Sequence, residues 1–213
     1  QHYDYPFRVQ PSMRSWYAEF AAGRCNPVQA AYWGPKPAEE FFEIANDPFE
    51  IKNRIDDKTQ QDRIAEMRSK LRAEMVAVRD TGFIPEGMFV KLAGDQTIYD
   101  YVQSDAYPIE RIIDLADRAT SRDAAALPEL MKALSDPHPV IRFWATQGCL
   151  ILQEKAAPAK VLLQGLLKDE WNDVRVSAAE ALGFLGEQEA AVEVVVEVVK
   201  NGEFYESLAA QNT

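Results

Sequence analysis

The spacing of apolar residues changes along this chain, and the change divides it. Tyr3, Tyr5, Phe7 and Val9 alternate with polar neighbours, and Phe42 and Ile44 do so again. That two-residue period belongs to half-buried strands. Prolines at 6, 11, 27, 35 and 37 punctuate the stretch up to Ile51, so short strands of a small antiparallel sheet are expected there, Glu40 to Ile44 among them. From about Gln60 to Arg79 the period lengthens. Ile64, Met67, Leu71, Met75 and Val78 fall at three- and four-residue steps between charged side chains. The pattern predicts an amphipathic helix covering one face of the sheet, with its stripe in the core and Gly82 as its stop. Asp47-Pro48-Phe49-Glu50 has the acceptor, proline and carboxylate of a helix N-terminus, so Asp47 is expected to cap a helix. Thr97 and Asp100 mark a second helix start.

Phe83 to Asp95, with Pro85, Gly87 and Gly94, reads as an irregular connector. From Pro108 onward the chain becomes helical and repetitive. Leu134, Asp136, Ile141, Arg142 and Ala145 recur as Leu167, Asp169, Val174, Arg175 and Ala178, each displaced by 33 positions. Two helices per unit at that period describe an α-solenoid. Asp136 and Asp169 are placed to accept turn amides at the start of each second helix. Arg142 and Arg175 lie beside the apolar stripe, each placed to bridge to the neighbouring unit's aspartate. A third unit starts near Val192 and breaks off. Asp-x-x-x-x-Val-Arg followed by an alanine-rich helix resembles the HEAT repeat, closely in Asp169 to Leu182 and well in Asp136 to Leu152. The fold expected is therefore α+β, a small antiparallel-sheet subdomain with a covering helix over residues 1–95. An all-α HEAT-like solenoid follows over 96–213, incomplete at its end.

Charge narrows the partners. The net charge of −11 argues against nucleic acid, which selects basic surface. No apolar run approaches the length of a membrane span. Cys25 and Cys149 are expected to be two free thiols. Ligand sets are sparse. His2 and His138 are the two histidines and lie far apart, and Asp56-Asp57 precedes an ordinary helix, so no metal site is expected in the chain. Basic and aromatic residues do intermingle near the start: Arg8, Arg14, Arg24 and Lys36 among Tyr3, Tyr5, Trp16, Tyr17, Tyr32 and Trp33. Guanidinium forks recognise sulfate as they do phosphate, and aromatic faces stack on sugar rings.

Several strings in this order carry a second resemblance: Gln29-x-x-Tyr32-Trp33, Pro37-Ala38-Glu39-Glu40 and Asp47-Pro48-x-Glu50-x-x-Asn53, then the helix. From Gln10 to about Pro85 the chain resembles the C-terminal region of bacterial sulfatases of the N-sulfoglucosamine sulfohydrolase type. It departs from them at Phe42-Glu43, where Tyr-Asp is usual, and at Arg54 in place of leucine. From Tyr99 on it resembles the HEAT-like extension that some of them carry.

The resemblance implies a parent that hydrolyses sulfate esters or sulfamates, plausibly on glycans, in the periplasm or outside the cell. It implies formylglycine and calcium in a catalytic domain upstream of Gln1, with none of either in this chain and no catalytic residues here. Cys25-Asn26-Pro27-Val28-Gln29 matches the maturation motif Cys/Ser-x-Pro-x-Arg except at Gln29, and Cys25 lies too near the closing motif to be the nucleophile. The implied role is support: packing on the missing catalytic domain, with Arg8, Arg24 and Trp33 as candidate substrate contacts. The repeats would then offer a surface for a sulfated glycan or a protein. The alternative is a non-enzymatic interaction module built on the repeats.

Overall fold

The structure is a computed structural model and describes residues 9–213. Among the described residues every regular element is helical, which corrects the expected antiparallel sheet. Tyr3, Tyr5, Phe7 and Arg8 lie outside them. The chain divides into two compact units, the first running to Arg72 and the second from Ala73 to Thr213.

In the first unit, helix α1 spans Pro11–Ala21 and α2 spans Pro27–Ala31. They hold Trp33, 9 % exposed, against Trp16, Tyr17, Phe20 and Tyr32 at ring separations of 4.9 to 5.9 Å. Beyond Trp33 the chain runs without regular structure to Gln61. Polar side chains pin it. Asn53 Oδ1 accepts from the amides of Phe41 (2.9 Å) and Ile55 (3.0 Å), and Arg54 grips both Asp57 and Glu43.

The stretch from Glu40 to Ile44 forms no ladder. Its backbone-to-backbone link to the later chain is the Arg54 amide on the Phe41 carbonyl, at 2.7 Å. Ile44 stays 64 % exposed. A strand needs a partner strand as well as alternation, and an isolated pair is marginal in water. The helix expected to start at Asp47 is also absent. The Asp47 carboxylate instead accepts the amides of Ile51 (3.1 Å) and Lys52 (2.8 Å). It closes a turn in which Glu50 adopts φ +52°, and these amide bonds hold the Asp47 carboxyl below the usual range.

Helix α3, Gln61–Ala77, lies where the pattern predicts it, yet most of its stripe is uncovered. Ile64 is buried, whereas Met67, Leu71 and Val78 are more than half exposed. Met75 and Val76 near its end pack against the large apolar core, but among the described residues no sheet lies opposite the earlier turns. It ends before Gly82. The Asp80 amide reaches the Met75 carbonyl and the Arg79 amide reaches that of Val76, a Schellman closure with Arg79 at the left-handed position, φ +52°. Arg79 offsets that strain through its side chain, which donates to the carbonyls of Val102, Ser104 and Tyr107.

In the second unit, residues 81–95 are more ordered than a connector. Two 3₁₀ turns (Thr81–Phe83, Glu86–Met88) and α4 (Phe89–Ala93) lead to α5, Ile98–Gln103. Thr97 and Asp100 form the capping box read from the sequence. Helix α6 (Ile109–Thr120) precedes three helix pairs: α7 (Leu127–Ala133) with α8 (Pro139–Leu152), α9 (Lys160–Leu166) with α10 (Asn172–Phe184), and α11 (Gln188–Asn201) with α12 (Phe204–Gln211). The stretch expected to hold the start of a third repeat thus contributes a third pair of helices. Helix α8 packs between α6 and α10, and α10 between α8 and α11. A continuous core runs from Ile84 and Met88 through Ile112, Leu130 and Val140 to Leu182. A smaller cluster of Val176, Ala191, Val194 and Val198 lies at the far end.

Candidate functional site

The repeat turns are built from paired acids and arginines. Asp136 Oδ1 accepts the His138 amide at 2.9 Å, and Asp169 Oδ1 accepts the Trp171 amide at 3.0 Å, as the spacing predicts. Arg142 donates Nη1 to the carbonyls of Asp136 and Pro137 in its own turn, and forks onto Asp169 of the next unit at 2.7 and 2.9 Å. Its side chain is 10 % exposed and that of Asp169 5 %, so each charge is desolvated and matched by the other. Two further rungs extend the ladder, Arg111 to Asp136 and Arg175 to Glu197. Arg111 was missed in the sequence, although it lies 31 positions before Arg142 and the period could have found it. Arg175 takes a glutamate because the position 33 beyond Asp169 is Gly202.

Of the residues that the resemblance puts at a substrate wall, Arg8 lies outside the described residues. Arg24 is exposed and forks onto Glu19 at 2.7 and 2.8 Å. It lines a hollow of about 320 Å³ with Ser15, Trp16, Glu19, Cys25 and Gln29. Trp33 is central to the aromatic cluster beside it, as the stacking partner of Phe20 and the edge partner of Trp16 and Tyr32. The Glu19 partnership was not legible, because an (i, i+5) pair falls outside the helical spacings of three and four.

Cys25-Asn26-Pro27-Val28-Gln29 is a helix start. Asn26 Oδ1 accepts the Gln29 amide at 2.9 Å, and Gln29 Oε1 accepts the Asn26 amide at 3.0 Å. The residue that replaces arginine therefore closes a capping box on α2. Cys25 and Cys149 are both unbridged. Cys149 is buried, and its thiol is pushed up to about 12, which makes it inert at neutral pH. Among the described residues no three His, Cys, Asp or Glu side chains converge.

Two further titratable side chains, His138 half-buried and Asp173 buried, take no part in the ladder's ion pairs. His138 places Nε2 3.0 Å from the Tyr101 hydroxyl, and burial lowers its pKa. Asp173, in the first turn of α10, is 6 % exposed, and its Oδ2 meets no donor among the described residues. Burial, with the charge of Glu206 nearby, raises its pKa to about 6.

Comparison with known proteins supplies a partial relative and a repeat family. Over 88 residues, 41 % of this chain, the sequence is 32 % identical to an ulvan-active sulfatase of Formosa agariphila, and the match spans 15 % of that protein's length. No solved structure matches the chain. The family described as HEAT repeats matches residues 103–183, and the PBS lyase HEAT-like repeat matches 174–201. These spans coincide with α6 to α11 and with the arginine–acid ladder: this part of the chain is a HEAT-like helical-repeat module.

Proposed function

We propose that the chain is a non-catalytic part of a sulfatase. Its first unit packs on a sulfatase body that supplies the formylglycine and calcium, and its repeats offer a surface for further contacts. One observation carries this reading. Among the described residues of the first unit the buried apolar side chains are Trp33 and Ile64, while Ile44, Phe49, Ile51, Met67 and Leu71 are all more than half exposed. So small a core does not hold this many residues, and apolar surface of that extent is normally covered by a partner. The partial similarity to the ulvan-active sulfatase supports the kind of body that covers it. The parent hydrolyses sulfate esters or sulfamates on glycans. Arg8, Arg24 and the cluster around Trp33 wall its substrate side, Arg24 directly and Trp33 by holding Trp16 and Tyr32 in place.

The test is turnover of an aryl sulfate with calcium. The 213-residue chain alone should be inactive. The protein expressed with its upstream reading frame, carrying a Cys/Ser-x-Pro-x-Arg motif, should be active. Binding of a hydrophobic dye should be strong to the chain alone and weak to the longer protein. Turnover by the chain alone, or an unrelated domain upstream, overturns the proposal. The latter result favours an adaptor built on the repeats.

A further inference from the structure

Residues of α10 and α11, together with Thr213, line an apolar hollow of about 510 Å³, with Glu180 as the acid in its lining. Its floor is small: Ala179, Gly183 and Ala191, and the nearest atom to a side chain placed on Gly183 would be Ala191 Cβ at 4.0 Å. Its walls are Phe184 and Val192, about half exposed. A floor without side-chain bulk lets the backbone of another helix approach closely, and exposed walls of this kind mark interaction sites.

Charge selects the occupant. From Ala179 to Thr213 the chain has seven acidic residues and one basic. Lys160 and Arg175 already engage Glu187 and Glu197. Among the described residues no basic side chain pairs with Glu189 or Glu193. Glu180 sits half-buried in the groove wall, where burial pushes its carboxyl up. Gly202 and Leu208 stand 33 positions beyond Asp169 and Arg175, so the aspartate and arginine of the earlier turns do not recur in the third helix pair.

We propose that this groove binds a basic amphipathic helix of a partner protein. Its apolar stripe lies on the Ala179–Gly183–Ala191 floor, and its flanking Lys or Arg side chains meet Glu180 and Glu189. The groove lies wholly within the repeats, so the sulfatase reading can fail without affecting it.

The experiment uses the 213-residue chain and two fluorescent synthetic helical peptides. They share one leucine stripe and differ in having lysine or glutamate on the flanks. The lysine peptide should bind saturably and weaken about tenfold in ~0.5 M salt. The glutamate peptide should bind at least about tenfold more weakly. Gly183→Leu, which fills open space, and Val192→Lys, at an exposed wall, should each cut binding of the lysine peptide about tenfold while leaving circular dichroism and Tm unchanged. Three outcomes overturn the proposal. The first is binding of the lysine peptide that both variants leave intact, which is general attraction to an acidic protein. The second is preference for anionic lipid vesicles. The third is concentration-dependent self-association of the chain that Gly183→Leu abolishes, which makes a second copy the occupant.

Discussion

Asp173 lies against the backbone of Gly87. A Cβ added to that glycine would come within 2.6 Å of Asp173 Oδ2 and 2.9 Å of Glu206 Cγ, so Oδ2 is tightly enclosed, and it meets no donor among the described residues. Glu206 is itself committed, its Oε2 accepting the Asn172 amide group and the Glu203 backbone amide, both at 2.9 Å. An acid whose folded pKa is raised to about 6 binds its proton more tightly in the folded state than in the unfolded one. Its penalty on folding therefore grows as the pH rises from the unfolded pKa to about 6, is full above that value, and vanishes below the unfolded pKa. Asp173→Asn removes the charge and keeps the shape. The variant should be more stable than the parent by about 2 kcal/mol near pH 8, with the gap closing as the pH falls to about 4. Denaturant unfolding at several pH values reads this directly. A pH-independent difference would mean that Asp173 is solvated or paired after all. Gly87→Ala should destabilise at every pH, because it forces the same carboxyl out of its place.

At the scale of elements, the helical pairs hold together through close approach and through the ladder. Gly148 on α8 has the Leu130 methyls of α7 and the Ala119 backbone of α6 where a Cβ would go, at 2.7 and 3.2 Å. Gly148→Ala should therefore cost about 1–3 kcal/mol by overpacking, although alanine is the better helix former. Arg142→Ala leaves Asp169 buried without its partner and frees the carbonyls of Asp136 and Pro137. The expected loss is about 3–5 kcal/mol, and Arg175→Ala, on a more exposed rung, should cost less. Equal losses at the two positions, measured by denaturant midpoints, would show that burial does not set the strength of a rung.

The ladder was legible in advance because it is written twice: Asp136 and Arg142 recur as Asp169 and Arg175, and repetition fixes both helix and partner. The sheet was misread because alternation at Phe42 and Ile44 states only which side is apolar, and no strand in residues 9–213 pairs with that stretch. The stop at Arg79 was hidden for a related reason. A non-glycine residue holds the left-handed position because carbonyls 23 to 28 residues away bind its side chain, a cause no local pattern contains. Of the candidate substrate wall, only residue types were readable. The capping box that occupies Gln29 and the fork between Arg24 and Glu19 are facts of geometry.

For the molecule as a whole, the two units differ in what holds them. The second has a continuous core from Ile84 to Leu182, whereas the stretch from Gly34 to Gln60 is held by turns and by polar groups such as Asn53, Asp47 and Arg54. Segments with few buried apolar contacts open with the least free energy and are cut first by proteases. Brief trypsin treatment of the 213-residue chain should cleave first after the exposed Lys52 and Lys58. It should leave a large C-terminal product containing α3 to α12, which mass spectrometry identifies. That product should melt cooperatively and at nearly the temperature of the uncut chain, since the cut removes none of the core around Met88, Leu130 and Val174. First cleavage within the repeats, at Lys160 or Lys168, would show that the helical stack is the weaker part. Covering the first unit with the sulfatase body proposed for it should slow the cuts at Lys52 and Lys58 and leave the repeats unaffected. A basic helix seated between α10 and α11 should leave those two cuts unchanged, so one time course tests the two surfaces separately.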